Sequence, residues 1–486
     1  MTLTLVPTST ASSAIFFLSP SSPKPRPVRI RFKPHASSSS IPAQTRVRSS
    51  PSSHDTGVII VGAGLAGLAA ATRLCSENVP FLLLEASDEV GGRVRSDIIG
   101  EFILDRGFQI FITSYPEAKK LLDYEALNLQ KFYSGARVYY NGEFHTVADP
   151  IRHFVDSLQS LTNPIGSILD KLLIASTRLG VLTKPDEEIL TANEVSTMEL
   201  LRSIGFSDSI IGRFFRPFFG GIFFDSDLET TSRLFDFIFK SLALGDNTIP
   251  AKGIGEIPKQ LAEKLPSDSI LFNSRAIAID SDGFDSPAVR LQTGEILRSE
   301  LGVIVAVDKP EADKLLRQNG PNPAQNKPSR STICLYFTAD RGEIPVRDPV
   351  LFINGSGEGI VNNMFFATNV APSYGPPDKA LVSVSLIGTF DGVSDEDLTA
   401  EVTRELSKWF KGLSSTVRNW KHLRTYRIKY AQPNQSPPTN LMKDPKVGPG
   451  LYICGDHLTS ATFDGALVSG RRAVEALLRD RAVIRV

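Results

Sequence analysis

The chain has 486 residues, of which 41% are hydrophobic and 22% are charged; this excludes a chain that is disordered throughout and predicts two or three globular domains. The net charge of zero hides an asymmetry, because residues 1–54 hold seven Lys or Arg and no acid, while the remainder has 46 basic and 53 acidic residues. A mildly acidic remainder offers no electrostatic basis for binding nucleic acid.

Residues 1–54 are rich in Ser and Pro and carry no basic residue among the first 23. This composition is typical of a transit peptide, and the missing early Arg helix favours chloroplast over mitochondrion. The alternative is a tail that targets nothing. We expect a stromal protein or one bound peripherally to a thylakoid or plastoglobule surface, because no stretch reaches the roughly 18 apolar residues that span a membrane.

A glycine-rich turn follows the first apolar run. Residues 58–61 predict a buried strand, Gly62, Gly64 and Gly67 follow at once, and residues 65–78 predict a helix. In such a unit the first glycine permits a tight turn, the second lets backbone approach a pyrophosphate, and the third allows close helix–strand packing. The helix N-terminus would face the phosphates.

A second strand at residues 81–84 ends in Glu85. This carboxylate stands at about the spacing expected of an acceptor for ribose hydroxyls, and its charge disfavours a 2′-phosphate. The sequence therefore predicts a dinucleotide-binding β-α-β unit, without deciding which dinucleotide is bound.

Two further segments favour a flavin. Gly91-Gly92-Arg93 lies just beyond Glu85, and near the chain end a strand at 451–454 leads into Gly455-Asp456. At these residues, and across about 57–480, the chain resembles the flavin-containing amine oxidoreductase superfamily, with a pattern similar to phytoene desaturase-like and protoporphyrinogen oxidase-like plant plastid proteins.

The resemblance implies FAD as cofactor and the α/β class of fold. It implies that Gly91, Gly92, Arg93 and Asp456 contact the flavin nucleotide, Arg93 by neutralising a phosphate. Gly465 and Ala466 would open a helix, at 467–479, whose N-terminus favours the reduced flavin. No cysteine stands where covalent attachment is expected, so FAD would be bound noncovalently.

The resemblance also implies a Rossmann-type FAD-binding domain assembled from three segments, 55–115, 246–312 and 430–486. An interleaved α+β substrate domain would comprise 116–245, mostly helical from residue 150, and 313–429, with strands over 330–390. The cysteines, Cys75, Cys334 and Cys454, are far apart, and the six histidines are scattered. Neither a disulfide framework nor a metal site is predicted.

The substrate is indicated by residues 206–239, which contain ten phenylalanines. Such a run is typical of a lipophilic pocket, a membrane-facing entrance or plain core packing. We expect hydride transfer from a small apolar metabolite, carotenoid-like or tetrapyrrole-like, to flavin N5, with the catalytic side chains unidentified. One alternative is an amine oxidase, although Thr462 stands where that group usually has an aromatic residue. The other is a non-catalytic prenyl- or lipid-binding protein on the same fold.

Overall fold

Two large β-sheets and the helices packed around them are seen in a computed structural model that describes residues 56–149, 152–153, 163–280, 287–316 and 327–484. The segment 1–54, predicted to be a transit peptide, lies outside these residues. The strands are β1 Thr56–Val61, β2 Phe81–Leu84, β3 Ser96–Ile99, β4 Phe102–Asp105, β5 Phe111–Ile112, β6 Leu129–Lys131, β7 Gly135–Tyr140, β8 Glu143–Ala148, β9 Asn247–Pro250, β10 Ile270–Leu271, β11 Ala276–Asp280, β12 Ala288–Leu291, β13 Ile296–Val305, β14 Arg330–Asp340, β15 Leu351–Asn354, β16 Asn363–Phe366, β17 Lys379–Ile387, β18 Lys421–Gln432, β19 Lys446–Gly448 and β20 Leu451–Ile453.

The helices of the described chain connect and cover these sheets. They are α1 Leu65–Ser76, α2 Pro116–Leu121, α3 Tyr124–Leu127, α4 Ile168–Leu182, α5 Asp186–Thr191, α6 Thr197–Ile204, α7 Asp208–Ile210, α8 Arg216–Phe223, α9 Ser232–Leu244, α10 Glu256–Ala262, α11 Lys309–Leu315, α12 Ala367–Val370, α13 Asp395–Trp409, α14 Ser414–Arg418 and α15 Phe463–Ile484. A π-helical turn, Ile211–Phe215, joins α7 to α8. No helix among the described residues has the length and apolar character needed to cross a membrane.

The first sheet has eight strands, and its centre is parallel. Its order is β10-β2-β1-β13-β12-β11, with β20 paired to β13 and β19 paired to β20. The α/β class predicted from the sequence is confirmed. Strand β1 is flanked by parallel neighbours on both sides, which explains why its residues Val58–Ile60 are fully buried and apolar rather than alternating.

The second sheet has seven strands in the order β18-β14-β17-β16-β15-β7-β8. It is antiparallel except for the pair β15–β7. Helix α13 begins at a serine cap, Ser394, and buries Leu398, Val402 and Leu406 in the same core cluster as this sheet. The predicted strand-rich stretch 330–390 contributes β14 to β17 of the sheet.

The helical stretch around the phenylalanines contributes several buried residues to one core cluster. Phe215, Phe219 and Phe235 are at most 1% exposed and contact one another at centroid distances of 4.6–6.2 Å. Phe218 and Phe223 lie in the wall of a cavity. Part of the phenylalanine run is therefore core and part lines a cavity, which matches two of the three interpretations weighed from the sequence.

Candidate functional site

Four parallel strands end together at one edge of the eight-stranded sheet. The register places Val61 beside Leu84 and Val305, and it places Val305 beside Ile453. The loops that follow these strands therefore open on the same side, where ligands of open α/β sheets bind. A cavity of about 650 Å³ starts at this edge and reaches the seven-stranded sheet.

Three glycines shape the turn between β1 and α1. Gly62 has a φ of 105°, and its N–H donates to a β2 carbonyl at 2.7 Å. A side chain at Gly67 would overlap the carbonyl oxygen of Gly62, so this glycine permits close helix–strand packing and stays out of the cavity wall. A Cβ at Gly64 would meet no atom within 4 Å, and Gly64 lines the cavity.

The N-terminus of α1 has the properties of an anion site. Gly64 provides no side-chain cap, and the first turn contains no acidic residue. Leu65 and Ala66 of this turn line the cavity. Uncapped N–H groups and the positive end of the helix dipole thus face the cavity, and they fit the pyrophosphate of a dinucleotide.

Glu85 lies at the same edge, directly after β2. Its Oε2 accepts the N–H of Ala63 at 2.9 Å, and its Oε1 accepts the N–H and the hydroxyl of Ser87 at 2.9 and 2.8 Å. These bonds fix the carboxylate at the cavity wall and leave it capacity to accept further donors. This arrangement fits the acceptance of ribose hydroxyls.

Gly91 and Gly92 bring a second loop against the first turn. The N–H of Gly91 donates to the Ala63 carbonyl at 2.8 Å, and the two glycines have φ values of 117° and 60°. A Cβ at Gly92 would lie 3.5 Å from the Cα of Gly64. Both glycines line the cavity, so backbone rather than side chains forms this part of the wall.

Arg93 and Asp456 join distant parts of the chain across the cavity edge. Arg93 Nη1 and Nη2 donate to the two carboxylate oxygens of Asp456 at 2.8 and 2.9 Å, and Nη1 also donates to Ala431 O. The guanidinium of Arg93, which the resemblance predicted to neutralise a phosphate, is thus paired with Asp456. Although burial alone favours the protonated acid, the charge and hydrogen bonds of Arg93 lower the pKa of Asp456.

The last helix, α15, starts four residues before its predicted first residue, 467. Thr462 Oγ1 accepts the N–H of Gly465 at 2.9 Å, which is an N-cap interaction that propensity alone does not reveal. A side chain on Gly465 would overlap the carbonyl oxygen of Ser460, so Gly465 packs beneath the preceding turn and does not line the cavity, whereas Ala466 does.

Eight of the ten residues singled out from the sequence line the cavity, the exceptions being Gly67 and Gly465. Other wall residues carried no motif: Arg275 and Glu311, whose charged groups lie 3.9 Å apart, and the amides Asn247 and Asn363. They come together only through tertiary packing, so no local sequence signal identified them.

The far end of the cavity is neutral. The seven-stranded sheet contributes side chains such as Leu351, Ile353 and Ile428, and α8 contributes Phe218 and Ile222. The acids of the described cavity wall are Glu85, Asp308, Glu311 and Asp456, all at the edge of the eight-stranded sheet or just beyond it. The cavity therefore has a polar end, whose groups fit a dinucleotide, and an apolar end.

Comparisons with known proteins agree with this geometry. The model of the family described as flavin containing amine oxidoreductase matches residues 65–478. The chain is 28% identical over 173 residues, 34% of its length, to protoporphyrinogen oxidase 2, chloroplastic/mitochondrial, of Arabidopsis thaliana. It is 28% identical over 144 residues, 29% of its length, to polyamine oxidase 3 of Oryza sativa subsp. japonica. These matches span 32% and 29% of the two curated relatives.

Among solved structures, the fold is similar to that of a provisionally assigned protoporphyrinogen oxidase from Exiguobacterium sp. 255-15. The TM-score is 0.67 at 17% identity, over 88% of this chain and 100% of that one. At this identity the likeness concerns the fold alone.

Proposed function

Because this chain belongs to the flavin containing amine oxidoreductase family and is an FAD-dependent oxidoreductase, we propose that it transfers hydride from an apolar plastid metabolite to flavin N5. The substrate would be carotenoid-like or tetrapyrrole-like. The observation that carries this proposal is the neutral wall formed by α8 and the seven-stranded sheet at one end of the cavity. An apolar molecule gains free energy by leaving water for such a wall.

The chain's own part in the reaction would be binding and positioning. When bound, FAD supplies a two-electron acceptor. Phe218, Ile222, Leu351 and Ile353 would hold the substrate and exclude water from the reacting C–H bond. None of the chain's three cysteines lies in the cavity wall, which supports noncovalent binding of FAD.

Amine oxidation is the rival proposal within the family. Thr462 caps α15 through its hydroxyl, and the adjacent Phe463 lines the cavity, held edge-on against Phe111 at 5.8 Å. Phe463 therefore supplies one aromatic wall residue close to the position expected of amine oxidases. A charged ammonium, however, would face no carboxylate on the neutral wall, so its desolvation would go uncompensated there.

Anaerobic mixing of the full-length, FAD-loaded protein with candidate substrates tests the proposal. A carotenoid precursor, a porphyrinogen and a polyamine are added separately, and the absorbance of oxidised flavin is followed. Bleaching by one of the first two supports the proposal, whereas bleaching by the polyamine alone supports the rival. No bleaching by either apolar compound would rule out this substrate class.

We also propose a chloroplast location. It is supported by the acid-free, Ser-rich segment 1–54 and by the partial match to a relative described as chloroplastic/mitochondrial. Fusion of residues 1–54 to a fluorescent protein, followed by import into isolated chloroplasts, checks it; exclusive uptake by mitochondria would contradict it.

Peripheral membrane binding is proposed through the outer face of α4. Four aliphatic side chains of this helix, Ile168, Leu169, Leu172 and Leu179, are 61–66% exposed, and three of them fall on one stripe. Helix α4 is tied to α9 by Arg178, whose Nη2 donates to a carbonyl of α9 at 3.0 Å, and the inner side of α9 lines the cavity. A lipid surface at α4 would place membrane-dissolved substrate near the cavity.

Replacing Leu172 and Leu179 together by glutamate should lower the vesicle-bound fraction at least about tenfold, since two apolar side chains lose their insertion. Co-flotation with phosphatidylcholine vesicles measures this. Ile98→Glu, which alters an equally exposed aliphatic residue on β3, is the matched control and should leave binding unchanged. The proposal would be wrong if the wild-type protein did not float with the vesicles. It would also be wrong if the wild type formed a dimer that the double variant abolished, because α4 would then contact a second copy of the chain rather than lipid.

A further inference from the structure

Polar side chains in the cavity wall differ in whether their hydrogen bonds are already made. Thr332 Oγ1 donates to a backbone carbonyl at 2.7 Å, and Gln432 Nε2 donates to another at 3.0 Å. Gln109 Nε2 donates to two backbone carbonyls. By contrast, the Oδ1 atoms of Asn247 and Asn363 are buried and accept no hydrogen bond from any described residue. Two acceptors in the cavity wall thus lack donors.

Asn363 lies in the neutral wall, where β16 of the seven-stranded sheet meets α8. It opens β16, is only 5% exposed, and lines the cavity. Its amide lies against α8, because a Cβ added to Gly221 would come within 3.0 Å of Asn363 Nδ2. Gly221, one of the glycines interrupting the phenylalanine run, therefore leaves room for this amide at the cavity wall.

Asn247 reaches the cavity from a different element. It begins β9, pairs with Ile112 of β5 in an antiparallel ladder, and its carbonyl accepts the N–H of Phe132 at 2.9 Å. Its backbone carbonyl thus has a donor while its side-chain oxygen does not. Because β9 and β16 belong to different sheets, the two amides reach the cavity from independent supports.

A buried acceptor without a donor lowers stability, and these two acceptors belong to residues that line a cavity large enough for a ligand, so a ligand that carries donors can supply the missing bonds. We infer that Asn363 and Asn247 bind hydrogen-bond donors of the substrate. This inference rests on the proposed function, and it narrows the substrate class to apolar molecules that carry a neutral hydroxyl or N–H group. A plain hydrocarbon would leave both amide oxygens unpaired.

We expect the donor to be neutral because the wall to which Asn363 belongs is uncharged. Cavity-wall residues from α8 and the seven-stranded sheet carry no charge. Arg106, a cationic wall residue that follows β4, is already held by Asp97 through bonds of 2.7 and 3.0 Å. An ammonium would lose its hydration without gaining a counter-charge, and a carboxylate would meet amide oxygens that repel it.

Three probes with one hydrocarbon chain test the inference: geranylgeraniol, its methyl ether and geranylgeranylamine. Their affinities for the full-length, FAD-loaded protein are measured by equilibrium dialysis, which does not depend on turnover. The alcohol should bind about tenfold more tightly than the ether and more tightly than the amine. Asn363→Leu should remove the preference for the alcohol over the ether, and Asn247→Leu should reduce it.

Thr332→Val is the matched control, because its hydroxyl lines the same cavity but already donates to the backbone. It should retain the alcohol preference. Equal wild-type affinity for alcohol and ether would overturn the inference even if both asparagine variants failed to fold, and so would tighter binding of the amine or binding of none of the probes. Flavin bleaching by an apolar substrate would still leave the proposed function standing.

Discussion

Replacing Gly64 by valine is expected to leave the protein folded and to abolish its retention of FAD. The backbone of Gly64 has φ −74° and ψ 179°, which any L-residue adopts, and an added Cβ meets no protein atom within 4 Å. The branched side chain would instead occupy the cavity at the N-terminus of α1. We expect affinity for FAD to fall at least about 100-fold, measured by fluorescence titration of the flavin-free protein.

Substitutions at two other glycines serve as controls for the Gly64→Val variant. Gly342→Val also adds a side chain where no atom lies within 4 Å, but it lies in a short 3₁₀ turn outside the cavity wall and should change neither folding nor FAD affinity. Gly67→Ala would overlap the Gly62 carbonyl oxygen and should destabilise the protein itself. If Gly64→Val bound FAD normally, the pyrophosphate could not lie at this turn.

The Arg93–Asp456 pair should respond unequally to removal of its two members. Asp456 is 7% exposed and Arg93 is 37% exposed, so Arg93→Ala leaves the more deeply buried charge without a partner. We expect Arg93→Ala to cost about 3–5 kcal/mol of unfolding free energy and Asp456→Ala less, about 1–3 kcal/mol. Urea unfolding with excess FAD measures both, and the double variant should cost less than the sum.

The difference should also depend on pH. In the wild type Arg93 lowers the pKa of Asp456, so the pair stabilises the fold above the unfolded pKa and loses its effect as pH falls. Without Arg93, burial raises that pKa, and the charged carboxylate destabilises the fold only above it. The Arg93→Ala defect should therefore shrink from about pH 8 to about pH 5. A defect independent of pH, or a larger one in Asp456→Ala, would contradict this assignment.

The sequence predicted the first β-α-β unit well because its signals are local. Residues 81–84 form β2 with the bounds expected, and the glycines at 62 and 67 have the packing roles that their spacing indicated. Helix α6 lies in the stretch predicted to be mostly helical, and its start carries a local signal, the capping box formed by Ser196 and Glu199.

Features created by tertiary packing could not be predicted in this way. The partner of Arg93 stands 363 residues away, and Asn247 and Asn363 have no neighbours in sequence that mark them as cavity residues. Thr462 illustrates a middle case: read as a missing aromatic residue, it proved to be the cap that starts α15 early. The assembly of residues 55–115, 246–312 and 430–486 into one FAD-binding domain stays a prediction.

The meeting of β1, β2, β13 and β20 at one edge has a consequence for biogenesis. The wall that includes Asp456 and Ala466 is translated nearly 400 residues after the turn that includes Gly64. A nascent chain that ends before these residues therefore lacks one side of the cavity edge. We therefore expect stable binding of FAD only after the C-terminal segment has been synthesised.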